Sequence, residues 1–307
     1  MTPLSRILTA VDFSEPARAS FNYALALSRT HQAELSVVHA VPGVRSLAWY
    51  AHERAALIAA LRQTAEAAGV RFKVSVKHGD PADVILLHAR ATRPDVIVLG
   101  THQRSGFDRF RLGSVAETVT LQATQPVLVV PASHAGRTAE SAMSFKNILV
   151  GVDFSAGSTA AVDRALSIGN ANSRVTLVHV VPNSSLASAS RYTDYLSEPD
   201  YQRLLARDAW QRLQETISAT AKTSRPVHAR VVRGDASTEI ARIATDVDAD
   251  VILVGVTSHG FIGRRIFEST AARLIRIAGR PVLAVPELVD PGAASVSETE
   301  ARAAVAA

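Results

Sequence analysis

Ile7-Leu8-Thr9-Ala10-Val11-Asp12-Phe13-Ser14 returns 141 residues later as Ile148-Leu149-Val150-Gly151-Val152-Asp153-Phe154-Ser155. Each stretch reads as a short β-branched strand ending in an acid, followed by a Ser able to cap a helix. Four further blocks repeat in the same order. Leu35–Pro42 (LSVVHAVP) matches Val175–Pro182 (VTLVHVVP), and His78-Gly79-Asp80 matches Arg233-Gly234-Asp235. Asp95–Gly100 (DVIVLG) matches Asp250–Gly255 (DVILVG), and Pro126–Pro131 (PVLVVP) matches Pro281–Pro286 (PVLAVP). The offset is 140 at the second block and 155 at the last three, so one insertion lies between Pro182 and Gly234. The chain is a tandem duplication of one domain.

The strand–helix rhythm fixes the class. Strands are expected at Ser5–Ala10, Glu34–Val41, Arg71–Val76, Val96–Leu99 and Val127–Val130. Helices are expected at Pro16–Thr30, from about His52 to Ala68, at Ala82–Ala91 and at Val115–Ala123. Alternation of this kind means βαβ units and parallel strands. Runs such as Val96-Ile97-Val98-Leu99 are apolar throughout, as strands covered on both faces are. The expected fold is α/β: two tandem doubly wound five-stranded parallel sheets of order 3-2-1-4-5, with helices on both faces. The expected divisions are a first domain at 1–131, a linker at 132–145, a second domain at 146–286 and a tail at 287–307. The insertion, Asn183–Asp200, reads as a surface loop before a helix from about Tyr201 to Ala221. Ser14 and Asp80 are expected N-caps, with Pro16 and Pro81 in the first turns. Ser114-Val115-Ala116-Glu117 matches a capping box, and Gly69 stands where the second helix should stop.

Composition excludes several functions. With no cysteine among 307 residues there are no disulfides, thiolate metal sites or Cys nucleophiles. No apolar run approaches the ~18 residues that span a bilayer, and Asp12 interrupts the opening apolar stretch, so no signal peptide is expected there. A cytoplasmic protein with no membrane partner is expected. The net charge of +5 is spread without long basic runs, and aromatics are only 5%, too few for a base-stacking platform. No nucleic-acid partner is expected.

In a doubly wound sheet of that order, ligands bind outside the carboxyl ends of strands 1 and 4. Asp12 ends the first and Gly100 the second. The chain then runs through His102, Gln103, Arg104, Gly106, Arg109 and Arg111 to Gly113-Ser114 and a helix. Glycines let backbone N–H groups approach an anion, a helix N-terminus favours negative charge, and Ser adds a donor. The plain alternative is that Gly100 and Gly113 only turn the chain and Ser114 only caps a helix.

Together these features resemble the universal stress protein family over about 7–131 and 148–286: Val-Asp-Phe-Ser, the second-strand Val-His, Gly-Asp before the third helix, and Val-Leu-Gly-Thr-His followed by Leu-Gly-Ser-Val-Ala-Glu. The resemblance implies an adenine-nucleotide-binding fold, with ATP, with or without Mg²⁺, as ligand. It also implies that the two copies pair through their last strands, as an intramolecular pseudo-dimer; a homodimer of the whole chain stays open. Transferred by position, the nucleotide-binding set is Ala10, Asp12, Ala40, Gly100, Gln103, Gly113, Ser114 and Val115. Asp12 matches a residue near ribose, Ala40 one whose backbone reads adenine, and Val115 the residue after Ser.

Copy one departs at Gln103, where the family pattern has Gly. The side chain adds bulk at a phosphate contact and costs about 1 kcal/mol if φ is positive there, although its amide is also a donor. Copy two departs further, with Gly255, Ser258, Glu268 and Ser269 at the loop positions. A carboxylate about 4 Å from phosphate costs on the order of 4 kcal/mol at an effective dielectric of 20, roughly a thousandfold in affinity. Copy two is therefore expected not to bind ATP in the family manner. His39 and His179 lie in apolar strands with no second His at ligand spacing and read as hydrogen-bonded structural residues. Neither a paired carboxylate nor a Ser–His–Asp arrangement is placed by the sequence, so no enzyme and no metal site are expected. The alternatives are an interaction protein without nucleotide and a slow ATPase.

Overall fold

The computed structural model of the chain describes residues 4–41, 43, 47–101, 114–134, 145–169, 172–183, 197–220, 225–256 and 269–287. The front half runs β1 (Arg6–Ala10), α1 (Glu15–His31), β2 (Glu34–Val41), α2 (Leu47–Ala67), β3 (Phe72–His78), α3 (Pro81–Thr92), β4 (Val96–Thr101), α4 (Ser114–Gln122) and β5 (Val127–Pro131). A 3-10 turn, Ala132–His134, follows. The rear half repeats the series as β6 (Asn147–Gly151), α5 (Ala156–Ile168), β7 (Arg174–Val181), α6 (Glu198–Thr220), β8 (Val227–Arg233), α7 (Ala236–Asp246), β9 (Val251–Val256), α8 (Thr270–Ile277) and β10 (Val282–Pro286).

Each half has the expected strand order, 3-2-1-4-5. The halves do not keep separate sheets, however. They merge into one ten-stranded sheet of order β3-β2-β1-β4-β5-β10-β9-β6-β7-β8. Every pair within a half is parallel, and the joining pair β5–β10 is antiparallel. At this seam Leu128 pairs with Leu283, its own counterpart in the repeat, while Val127 pairs with Ala284 and Val129 with Val282. A pseudo-twofold axis therefore passes through the Leu128–Leu283 pair. Antiparallel union also leaves no open edge at the middle of the sheet. The expectation that the copies pair through their last strands matches this arrangement.

Strand side chains alternate between two buried layers. Ile7, Val37 and Val98 join the layer that contains α1 and α5; Leu8, Val38 and Ile97 join the layer that contains α3 and α7. Both faces of the central strands are thus dry, which explains their unbroken apolar sequence.

Local chemistry sets the element ends. Ser14 caps α1 by accepting from the Ala17 amide, and Asp80 caps α3 by accepting from Ala82 and Asp83. After α2, Gly69 takes φ +69° while its amide and that of Val70 reach back to Glu66 and Ala65, closing the helix. Ser197, whose hydroxyl accepts from the Asp200 amide, starts α6 three residues before the expected Tyr201. Ser114 is the first residue of α4 rather than its cap, and Glu117 is engaged elsewhere: its Oε1 accepts from Arg276 of the other half. The repeated Asp before the fourth strand has a purpose that spacing did not reveal. Asp95 Oδ2 accepts from the Ser5 and Arg6 amides at 2.6 and 2.9 Å, and Asp250 Oδ2 from Lys146 and Asn147 at 2.8 and 2.9 Å. Each carboxylate ties the start of its half's first strand to its fourth.

Candidate functional site

The carboxyl ends of β1 and β4 lie side by side, because Ile7, Leu8 and Thr9 pair with Val96, Ile97 and Val98. Asp12 and Ser114 are exposed at this edge, and Ala10, Ala40, Gly100 and Val115 are half-buried. Ala10, Ala40 and Val115 pack against the same core layer, the one beneath α3 and α4. Ala10, Ala40 and Gly100 stand at the carboxyl ends of the neighbouring strands β1, β2 and β4, Asp12 follows β1, and Ser114 and Val115 open α4. Gln103 and Gly113 lie outside the described residues, as do His102, Arg104, Arg109 and Arg111, and Ser258 and Glu268 of the rear half.

Asp12 is held by its neighbours on both sides. The Val11 amide donates to Val38, and the buried His39 donates its Nδ1–H to the Val11 carbonyl at 2.6 Å. Phe13 takes φ +62°, a left-handed conformation that bulky residues rarely adopt, and its ring lies 4.9 Å from that of His39. The turn then brings the Ser14 amide and hydroxyl onto Asp12 Oδ1, at 3.0 and 2.5 Å. The rear half repeats the device with Phe154 at φ +64°, its ring 4.6 Å from His179, and His179 donating to Val152. Burial pushes the Asp153 carboxyl up, but hydrogen bonds from Ser155 and Ser158 outweigh it and leave the group below its ordinary range. The repeated histidines are therefore hydrogen-bonded structural residues. Their link to the strained Phe was not visible in the sequence.

Gly100 has a packing reason of its own. A Cβ there would lie 2.2 Å from the Pro16 carbonyl oxygen and 2.4 Å from its carbon. At Gly255 it would lie 2.4 Å from the backbone of Gly157 and Ser158. Both glycines let the end of the fourth strand touch the first turn of α1 or α5, and both halves require this alike.

The halves differ at two of these positions. Ala40 corresponds to Val180, and Ala10 to Gly151. Beside Gly151, Ile240 Cδ1 comes within 2.9 Å of where a Cβ would be and Val254 within 3.2 Å, and the front half keeps bulky residues, Ile85 and Leu99, at the same two positions. Across the rear mouth, Asp235 at the start of α7 accepts at 2.7 Å from Arg273 on α8. Hydrogen bonds from the Ser237 hydroxyl and the Thr238 amide and hydroxyl hold the Asp235 carboxyl well below its ordinary range. In front the same positions are Asp80 and Thr118, which carry no such opposite charges. Ser269 caps α8 by accepting from the Ala272 amide at 3.2 Å, whereas its counterpart Ser114 is already helical. Among the described residues, no group of three or more His, Cys, Asp or Glu is placed to hold a metal ion. No helix among them is long and apolar enough to cross a membrane.

Similarity to known proteins agrees with this architecture. The chain is 29% identical over 145 residues to universal stress protein YxiE of Bacillus subtilis, covering 41% of this chain and 98% of that protein. In structure it resembles a universal stress protein from Archaeoglobus fulgidus (TM-score 0.71, 21% identity), covering 92% of this chain and 98% of the other. A second neighbour, a putative universal stress protein from Pseudomonas aeruginosa, has a TM-score of 0.63 at 17% identity, with 92% of this chain and 93% of the other covered. The family model for universal stress proteins matches twice, at residues 3–131 and 144–286. The chain belongs to the universal stress protein family, with two copies of the domain in tandem.

Proposed function

We propose that the front half binds one adenine nucleotide, ATP in the first instance, and that the chain acts in the cytoplasm as a nucleotide-dependent binding module rather than an enzyme. The observation that carries this reading is the contrast between the crevices. In front, Ala10, Ala40 and Val115 leave small side chains beside an exposed carboxylate and the first turn of α4. In the rear, Val180 stands in place of Ala40, and the Asp235–Arg273 ion pair stands where the front half has Asp80 and Thr118. Asp12 suits the ribose end. Ser14 uses only Oδ1, so Oδ2 is left to accept from ribose hydroxyls. The first-turn amides of α4 have no intrahelical partners and favour phosphate charge. Phosphates bring their own affinity for Mg²⁺, and this reading assigns the ion no protein cage.

Calorimetric titration with ATP tests the reading. Asp12→Ala should weaken binding about tenfold or more through loss of a charge-assisted acceptor. Asp153→Ala should leave binding unchanged. Equal effects from both substitutions, or none from Asp12→Ala, would contradict it.

A second reading, an interaction protein without nucleotide, is favoured by Gly100, whose packing role needs no ligand. If that reading holds, the natural protein does not bind ATP, and Gln103→Gly creates the binding.

A further inference from the structure

We propose that the β5–β10 seam is built to pair a front half with a rear half and to reject pairing of like halves. The axis through Leu128–Leu283 relates each front residue to a rear one, so a symmetric seam would carry matching contacts on either side. The contacts do not match. Glu117 and Arg276 form an ion pair at 3.2 Å, with each side chain only 18% exposed. The symmetry-related positions are Ala272 and Leu121, which are apolar. In a pair of front halves, Glu117 would face Leu121; in a pair of rear halves, Arg276 would face Ala272. Either arrangement leaves a largely buried charge without its partner.

A second, independent asymmetry lies on the other face of the sheet. Three pairs of repeat counterparts, Leu4 and Phe145, Leu27 and Ile168, and Leu128 and Leu283, line a small cavity on the axis. Arg164 of the rear half also reaches it. The front counterpart of Arg164 is Tyr23, whose hydroxyl donates instead to His134 Nδ1 at 2.8 Å. His134 Nε2–H donates in turn to the rear half's Gly279 carbonyl at 3.3 Å, so this contact also crosses the seam. Burial holds the Arg164 guanidinium below its usual range, and Asp95 of the front half opposes that shift. Two rear halves would bring two guanidiniums to one apolar cavity, a repulsive element of the kind that sets partner choice. The duplication has thus diverged from a self-complementary surface to one whose partner is the other half.

The test uses the whole chain with a protease recognition sequence inserted between Ala135 and Ser144. The folded protein is cut, unfolded in urea and refolded by dialysis. The two fragments differ in mass, so native mass spectrometry separates the three kinds of pair. Random pairing gives mixed and like pairs in equal total amounts; the seam described here should favour mixed pairs about tenfold or more. Arg164→Tyr with Arg276→Leu makes the rear surface front-like and should raise the share of rear–rear pairs. A random mixture from the natural sequence, or failure of the fragments to pair again, would overturn the proposal.

Discussion

The ring of Phe13 stands 4.9 Å from that of His39, and the His39 imidazole donates to the carbonyl of Val11, so one histidine fixes the residues on both sides of Asp12. A left-handed Phe costs about 1–2 kcal/mol in backbone energy, which the ring contact and the buried hydrogen bond offset. The same trio recurs in the rear half as Phe154, His179 and Val152.

His39→Ala should therefore lower stability by about 2–3 kcal/mol, the sum of a buried hydrogen bond and a ring contact. Nucleotide affinity should fall with it, because Asp12 loses its fixed position. His179→Ala should cost similar stability without affecting affinity. Urea unfolding followed by titration at a temperature where both variants are folded separates the two effects.

Gly100→Ala should destabilise the protein by about 3 kcal/mol in the absence of any ligand, since the new methyl meets the Pro16 backbone rather than a movable side chain. Gly255→Ala should behave alike. A ligand-free melting curve that Gly100→Ala leaves unchanged would contradict the packing role.

Acid sensitivity should come in part from His31. Burial, and then the nearby Arg164, hold its imidazole below the ordinary value of 6.5. The unfolded chain thus takes up a proton before the folded one does. The stabilising contribution is complete above about pH 7 and is lost as pH falls through 6.5 toward the folded value. His88, lowered by burial and by Lys77, acts in the same direction. His31→Asn removes the titrating ring and should flatten the fall in melting temperature between about pH 7 and 5. A slope unchanged by that substitution would show that His31 does not titrate in this way.

The five repeated blocks made the strands and the caps Ser14 and Asp80 legible, because each depends on neighbours within a few positions. What stayed hidden depends on distant partners. Asp95 stood out in the sequence only as the first residue of a repeated block, yet it holds amides some 90 positions away. Gly100 resembled a ligand-loop glycine, and its contact with Pro16 appears only once β4 lies against α1. Glu117 fitted a local capping pattern, but an arginine 159 residues away takes its carboxylate. The front crevice was readable as a set of positions. Its distinction from the rear one depends also on the Asp235–Arg273 pair, which no motif marks.

Ala40→Val gives the front crevice the rear half's side chain. By adding bulk at the adenine end, it should weaken ATP binding about tenfold or more with little change in stability. Denaturant midpoints and titration on the same samples check both parts.

Equilibrium dialysis of the whole chain against labelled ATP tests the central claim most directly. One nucleotide per chain at saturation, with half-saturation moved about tenfold or more to higher ATP by Asp12→Ala and left in place by Asp153→Ala, is the expected result. Two nucleotides per chain, or none at millimolar ATP, would contradict it.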